Sequence, residues 1–457
     1  MKRQKTKENK SNGQLKNTKN NWKLKATERT QIIRQQKKRI LEIEQSRDLW
    51  KDKYKNKPIE GQSVSFNSEK AKHHQYSLLV ILWVIQMQNY GLMSLRSCRH
   101  CVSSLYLVLN LSGRVPSHGS IRNWLCKHGI HRLKASSNND KKKVLYVDES
   151  IILGGEKILL ILGIWSEKIP LDGSVRQQDV EVLHVSSEKE WKAESIADIL
   201  TKIDKNGGIS YIVSDQGCNL TKAYKLCQYV HIEDCTHILA NFLKKIYEQD
   251  TCFETFRKLI GELRKKWFLS KANSKFIPPS MRGKLRFANI FTCVDWAKRQ
   301  LDNWVNLDES ITTYLAFLKE NESFVEELVE QSKIFKRVCS MLKNKGFSQE
   351  QKTTLVKELS LATAPKNVVV FTENIFEYLE NLLQKSINLG EKSILCSSDI
   401  IESFFGKFKA KINPNCPHKL TEFMFTIANF SGNFSEVELQ KALENIKIKD
   451  LKKYKMT

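Results

Sequence analysis

The sequence lacks any apolar run long enough to cross a membrane. Near the start of the folded part, the longest apolar stretch is 78–84, and the polar Gln86 follows soon after. A membrane-spanning helix needs about 20 apolar residues, so no span is expected. The N-terminus is basic but has no apolar segment like that of a secretory signal. We therefore expect a cytoplasmic protein that binds no membrane.

A dense disulfide framework and a Gly-rich phosphate-binding loop are also missing. The 11 cysteines lie at irregular intervals among 457 residues, which predicts free thiols. Without such a loop, no nucleotide cofactor is expected. Cys98 and Cys101 form a CxxC pair, with Cys126, His128 and His131 farther along. This group predicts either a zinc site or two core cysteines one helical turn apart.

Acidic residues are scarce relative to basic ones. The chain has 75 Lys and Arg against 50 Asp and Glu, a formal charge of +25 and a pI near 9.5. Such a charge suits the phosphate backbone of nucleic acids. The proportions of hydrophobic residues (41%) and charged residues (27%) are ordinary for a folded protein. The length predicts two to four domains.

The basic charge is concentrated at the N-terminus. Residues 1–60 contain 19 Lys or Arg against 7 Asp or Glu and no sustained apolar run. They predict a basic arm whose first part is disordered and whose second part is a short helix. Ile33, Ile40, Ile43 and Trp50 fall near heptad positions, which favours a coiled coil. A solvated helix that touches DNA is the alternative.

Residues 70–137 predict an all-α region of short helices with the outline of a helix-turn-helix. Its last helix begins at Ser117 or Ser120 and would offer Arg122, Asn123 and Lys127 to DNA. Small helical bundles without DNA-binding function have a similar pattern, so a purely structural role is the alternative.

From residue 143 the pattern changes to strands. Short apolar runs that alternate with helices predict the order of a ribonuclease H core, an α/β fold with a mixed five-stranded sheet. The expected parts are the first part of the core (143–250), a helical insertion (251–392), a last core helix (393–425) and a basic C-terminal tail (426–457).

Two aspartates follow strands that are neighbours in such a core. Asp148 ends the first strand and Asp215 ends the fourth. These strands run in parallel, so both carboxylates would meet at one edge of the sheet, where they repel each other unless a cation lies between them. Two Mg²⁺ ions, which prefer oxygen ligands, would satisfy this pair and support in-line attack on a phosphate. Mn²⁺ would be able to substitute.

Several ordered segments resemble one known family. They are YVDES, KILLILGIW, IVSDQGCNLTKAY, IEDCTHILANFLKK, FIPPSMRGKLRFANI and SSDIIESFFGKFK. From about residue 76 to 451 the sequence resembles bacterial insertion-sequence transposases of the DDE class, which have a helical insertion between the second Asp and the Glu. The spacing of 187 positions from Asp215 to Glu402 leaves room for that insertion.

The resemblance implies a third metal ligand on a late helix, and Asp399 and Glu402 share one face of that helix. Glu402 is the expected ligand. Lys409 follows it by seven residues, as a basic residue does in many DDE transposases, and would reach a DNA phosphate. Gly406 is at the corresponding distance from Asp399. Asp399 also stands at the expected helix start, where acids commonly cap.

Further residues acquire expected roles from the resemblance. Asp234 and His237 match the C/D-x-x-H motif of Mutator-like and hAT-like transposases, where the His lies near the active site; Asp234 as a simple helix cap is the alternative. Trp267 would stack on a displaced base, or else pack in a core. A basic series would face DNA or form a solvated loop: Arg282, Lys284 and Arg286.

The expected function is therefore that of a DNA transposase. It would bind the terminal inverted repeats of its own element as a homo-oligomer, nick them by metal-assisted hydrolysis and join the 3′-hydroxyl to target DNA. We expect it at the bacterial nucleoid. The alternatives are a junction-resolving nuclease with the same fold and a DNA-binding transposon relic without activity.

Overall fold

The computed structural model describes most of the chain. The described ranges are 69–109, 114–136, 142–153, 155–170, 174–204, 208–268, 276–280, 286–359, 365–411 and 421–453, with part of 29–48. The chain divides into two compact units, Met1–Phe66 and Asn67–Thr457. In the first unit, the described residues of 29–48 are helical (α1), and Ile33, Ile40 and Ile43 are exposed. Residues 1–28 of the predicted basic arm, and Trp50, lie outside the described residues.

The second unit begins with three helices and continues with a sheet. The helices are α2 (Leu78–Tyr90), α3 (Leu95–Val108) and α4 (His118–Ser136). The strands and the helices among them are β1 (Lys143–Leu153), β2 (Glu156–Trp165), β3 (Glu181–Glu188), α5 (Ala193–Ile203), β4 (Ile209–Ser214), α6 (Cys218–Leu226), β5 (His231–Glu233) and α7 (Cys235–Tyr247).

The five strands form one mixed sheet in the order β3-β2-β1-β4-β5. β1 pairs antiparallel with β2 and parallel with β4, and β4 pairs parallel with β5. The predicted α/β fold with a mixed five-stranded sheet is therefore confirmed. The near-continuous apolar runs of β1 and β2 follow from burial on both faces, because their side chains enter a core on each side of the sheet.

Side chains of β1 alternate between two cores, as the two-residue period of a strand requires. Val144 and Tyr146 belong to the larger core, which also contains residues of α7 and α14. Leu145 and Val147 belong to the smaller core under α5 and α6. A residue at position 148 therefore continues the face of the larger core.

Helices follow α7 in the described part of 251–392, as predicted. They are α8 (Thr251–Phe268), α9 (Arg286–Asp302), α10 (Glu309–Glu320), α11 (Glu322–Lys345), α12 (Gln349–Glu358) and α13 (Lys366–Leu389). After them come α14 (Asp399–Lys411), a 3-10 helix (Glu422–Phe430), α15 (Glu436–Asn445) and α16 (Ile448–Lys453). No described helix is both long and apolar enough to cross a membrane.

The C-terminal segment is helical, as predicted, and packs around α4. Asn429 donates from Nδ2 to the carbonyl oxygen of Leu125, and Arg132 pairs with Glu438 at 2.8 Å. A Cβ on Gly129 would lie 2.1 Å from the carbonyl oxygen of Phe425, so only glycine allows the backbone of α4 to approach so closely. The helices before and after the sheet thus belong to one compact unit.

Candidate active site

Asp148 and Asp215 lie at the same level, just beyond the last paired residues of the parallel strands β1 and β4. β1 continues to Leu153, so Asp148 lies within the strand and not, as predicted, at its end. In the parallel pair of β1 and β4, Tyr146 is opposite Val213. Both aspartates follow two residues later, so they lie at the same level. They also continue the face of Tyr146 and Val213, because side chains alternate along a strand. Both side chains are partly exposed.

Both aspartates act on one buried tyrosine. Burial raises the pKa of Tyr224, and the negative charges of Asp215 and Asp148 raise it further. The Tyr224 hydroxyl donates to Oγ of Ser214 at 3.1 Å. Asp215 Oδ1 accepts a hydrogen bond from the backbone N–H of Gly217 at 3.0 Å, which orients the carboxylate at the start of α6.

Glu402 of α14 is directed towards His237 of α7. Its side chain is 58% exposed, and its Oε1 lies 3.8 Å from Nε2 of His237. The interaction with Glu402 raises the pKa of His237 against the opposing effect of burial, and the charges of Asp234 and Asp215 raise it too. His237 is therefore near enough to both Glu402 and Asp215 to respond to their charges.

Asp399 has a different partner. Both of its carboxylate oxygens accept hydrogen bonds from Nζ of Lys343, at 2.9 and 2.7 Å. Lys343 lies near the end of α11, so this ion pair ties the insertion to the start of α14. The geometry favours Glu402 over Asp399 as the third carboxylate of the site, because Glu402 is the one directed towards His237.

Lys409 lies beside β1 on the same helix. Its Nζ is 3.4 Å from Oγ of Ser150, which follows Asp148 by two residues. Glu402 and Lys409 are seven residues apart, about two turns, so they share a face of α14. The basic group is thus placed next to the strand that carries Asp148.

Asp234 caps two helices at once. It is 1% exposed, and its Oδ1 accepts from the backbone N–H of His237 at 3.0 Å. Its Oδ2 accepts from the backbone N–H of Ser398 at 2.7 Å and from the Ser398 hydroxyl at 3.0 Å. The predicted cap of α7 is present. The second cap, at the start of α14, and the partner Lys343 were not foreseen, although the Ser397-Ser398-Asp399 sequence is typical of a capped helix start.

The donor set suits a hard divalent cation. Asp148 and Asp215 supply carboxylate oxygens from neighbouring strands, which Mg²⁺ prefers. Glu402, directed towards His237, is the third candidate. Within the described part of the chain, no group of three or more His, Cys, Asp or Glu side chains is gathered closely enough to hold a metal ion. Asp148, Asp215 and Glu402 therefore do not converge on one point, and metal binding by them stays a prediction.

The predicted DNA contact of Lys127 in α4 is corrected by the structure. Lys127 is 8% exposed and donates from Nζ to the carbonyl oxygen of Leu443 at 2.8 Å. Arg122 pairs with Glu422 at 2.8 Å, and Arg122 and Asn123 are partly exposed. The C-terminal segment thus covers Lys127, whereas DNA contact by Arg122 and Asn123 stays a prediction.

Trp267 is corrected as well. It is 1% exposed, and its ring lies against Phe276 and Tyr314, so it belongs to the core of the insertion. Stacking on a base would need an accessible ring face. Arg282 and Lys284 lie outside the described residues, as does the side chain of Arg286, the first residue of α9.

The second prediction for the cysteine pair holds for Cys98 only, because Cys98 is buried and Cys101 is partly buried. Burial raises the pKa values of Cys98 and Cys126 to about 11 and about 12. His128 has Asn429 as its hydrogen-bonding partner at Nδ1. The ten described cysteines are free thiols.

No family model matches the chain, and no curated protein matches it.

Proposed function

We propose that the chain is a DDE-type DNA transposase with a ribonuclease-H-like core. The observation that carries the proposal is the position of Asp148 and Asp215, at the same level where the parallel pairing of β1 with β4 ends. Glu402, directed from a later helix towards His237, is the proposed third carboxylate. A helical insertion between the second Asp and the Glu agrees with the resemblance described for the sequence.

Each side chain of the site has a distinct task in this proposal. Asp148, Asp215 and Glu402 would hold two Mg²⁺ ions, or Mn²⁺ in their place. The ions supply Lewis acidity at the phosphate and make water or a 3′-hydroxyl a better nucleophile. His237 orients Glu402, and Lys409 neutralises a phosphate oxygen of the bound strand. Asp234 fixes the starts of the two helices that carry these groups.

The substrate is double-stranded DNA, first at the ends of the element and then at the target. Hydrolysis frees a 3′-hydroxyl at the end of the element. That hydroxyl then attacks a phosphate of the target strand, and the 3′-oxygen of the target nucleotide leaves as a new 3′-hydroxyl. Both steps are phosphoryl transfers at one site. The formal charge of +25 supports binding to both duplexes. A homo-oligomer would bring two ends together.

The decisive experiment uses the full chain, Mg²⁺ and a plasmid that carries the DNA flanking its gene. We expect nicks at the flanks and joined products in a second plasmid. Asp148→Asn and Asp215→Asn should abolish both products while duplex binding remains. Asp198→Asn, at an exposed position of α5, is the matched control and should stay active.

The outcomes separate the alternatives. Cleavage by the wild type without joining indicates a nuclease, and binding without cleavage indicates an inactive relic. Cleavage by Asp215→Asn at the rate of the wild type would show that the reaction occurs elsewhere.

A further inference from the structure

The turn between α2 and α3 has the form of a helix-turn-helix. α2 ends at Tyr90, and α3 begins at Leu95 after a turn of four residues. The N–H of Gly91 donates to the carbonyl oxygen of Met87 at 3.0 Å. A Cβ on Gly91 would lie 2.7 Å from that oxygen, so the turn needs glycine. Two helices joined by a short, glycine-containing turn are typical of DNA-binding motifs.

The second helix of this motif has one buried side. In α3 only Cys98 and Val102 are buried, and they are four residues apart. Ser94 caps the helix, since its Oγ accepts from the N–H of Ser97 at 3.1 Å. The buried stripe holds α3 against α2 and α4 and leaves the opposite side open.

The open side of α3 is basic and polar. Arg96, Arg99, His100 and Ser103 are exposed, and their spacing of three or four residues places them on one face. α3 contains no acidic residue. The described residues include no salt bridge to Arg96 or Arg99. This face therefore offers positive charge and hydrogen-bond donors to a polyanion, in contrast to the covered Lys127 of α4.

We propose that α3 is the helix that reads duplex DNA, with the face of Arg96, Arg99, His100 and Ser103 in the major groove. This inference rests on the proposed function in one respect, namely that the chain binds DNA. A helix of about 10–12 Å diameter fits a groove about 12 Å wide. Recognition helices contact bases with their N-terminal residues, which is where both arginines lie, and arginine pairs with guanine.

The alternative partner of α3 is a second copy of the chain. Leu107 and Val108, at the end of the helix, are 83% and 78% exposed. An apolar end of this kind suits a second copy of the chain. The charge of the remaining face favours DNA, and the experiment must distinguish the two.

The test selects sequences from a pool of duplexes whose central 20 base pairs are randomised (roughly twice the helical repeat of DNA). The full chain should enrich a defined sequence. Arg96→Ala and Arg99→Ala should bind that sequence roughly ten-fold or more weakly and enrich a changed sequence, because each arginine–guanine pair discriminates between bases. Arg257→Ala, an exposed arginine of α8, is the matched control and should enrich the original sequence.

Three results would overturn the inference: no enrichment by the wild type, unchanged selection by both α3 variants, or equal effects of Arg257→Ala. Sedimentation of the Leu107→Glu variant tests whether α3 instead contacts a second copy of the chain. If this substitution abolishes self-association while the arginine variants select normally, α3 is a dimer surface and not a DNA reader. Because the selection involves no cleavage, a chain that selects DNA through α3 but never cuts it contradicts only the proposed function.

Discussion

Among single residues, Asp234 shows how one buried carboxylate connects two helices. It accepts hydrogen bonds from the N–H of His237 on α7 and from the N–H and hydroxyl of Ser398 at the start of α14. His237 and Glu402 lie close to the capped starts of α7 and α14. The relative position of the two side chains thus depends on an acid that does not itself face the site.

Asp234→Asn should therefore weaken both the fold and the reaction. The amide replaces one acceptor oxygen with a donor, and we expect the free energy of unfolding to fall by about 1–3 kcal/mol. Cleavage should fall while duplex binding is kept. Urea denaturation measures the first effect, with Asp198→Asn as the control. A variant as stable and as active as the wild type would contradict the double cap.

The choice between Glu402 and Asp399 can be tested directly. Glu402→Gln should eliminate cleavage in both Mg²⁺ and Mn²⁺, because a metal ligand is lost. Asp399→Asn should keep part of the activity, since it loses only the ion pair with Lys343. Strand cleavage is measured after both variants are shown to fold and to bind duplex DNA. An inactive Asp399→Asn beside an active Glu402→Gln would reverse the assignment.

Among the elements, α14 is held at both ends by other parts of the second unit. Its first residue, Asp399, pairs with Lys343 of α11, and its last residue, Lys411, donates to side-chain oxygens of Gln88 and Asn89 at the end of α2. Lys411 also lies over the ring of Phe430 at 4.0 Å. The helix that carries Glu402 is thus coupled to the insertion and to the helix-turn-helix.

Lys411 gives this coupling a dependence on pH. Burial lowers its pKa to about 6; the charge of Lys407 acts in the same direction, and Cys98 acts against it. In the unfolded chain the pKa is about 10.4. Between these two pKa values Lys411 is protonated in the unfolded chain but not in the folded chain. Its contribution to the free energy of unfolding therefore rises with pH and is smallest below pH 6.

The variant Lys411→Met should remove this dependence. The free energy of unfolding of the wild type should rise relative to that of the variant from pH 7 to pH 9, by up to about 1.4 kcal/mol per pH unit. Urea denaturation at pH 7, 8 and 9 measures it. Lys265→Met, at an exposed position of α8, is the control and should follow the wild type at every pH. Parallel curves for Lys411→Met and wild type would show that Lys411 is charged in the folded state.

For the whole molecule, charge is divided unequally between the two units. Met1–Phe66 carries 19 Lys or Arg against 7 Asp or Glu, a net charge of +12 out of +25. Both hydrophobic cores lie in Asn67–Thr457. The first unit is therefore expected to contribute affinity for phosphates, which carries no sequence information.

Removal of residues 1–66 should weaken duplex binding and flatten its salt dependence. Each lost phosphate contact reduces the slope of log K against log salt by about 0.9. The sequence selected from randomised duplexes should stay the same, because α3 remains. Anisotropy titrations at several salt concentrations measure the slope. Equal slopes for the full and the shortened chain would show that the arm does not contact DNA.

The strands and the places of the two aspartates were predictable from the sequence because their signals are local. Apolar runs with a two-residue period predict strands, and Asp148 and Asp215 directly follow such runs. The order of strands and helices was enough to predict the mixed sheet, since parallel neighbours need helical crossovers. The helices of residues 78–136 were predicted from apolar segments separated by glycine and proline, and the helical insertion from its loss of strand character.

Only the tertiary structure decided which faces are covered. Lys127 and Trp267 look accessible by pattern, yet a carbonyl 316 positions away satisfies the lysine, and the insertion encloses the tryptophan. Asp399 finds its partner 56 positions earlier, at Lys343. A local pattern defines which side of a helix is apolar, but a distant segment determines whether its polar side meets solvent. For this reason the open face of α3 and the covered Lys127 of α4 became known only from the fold.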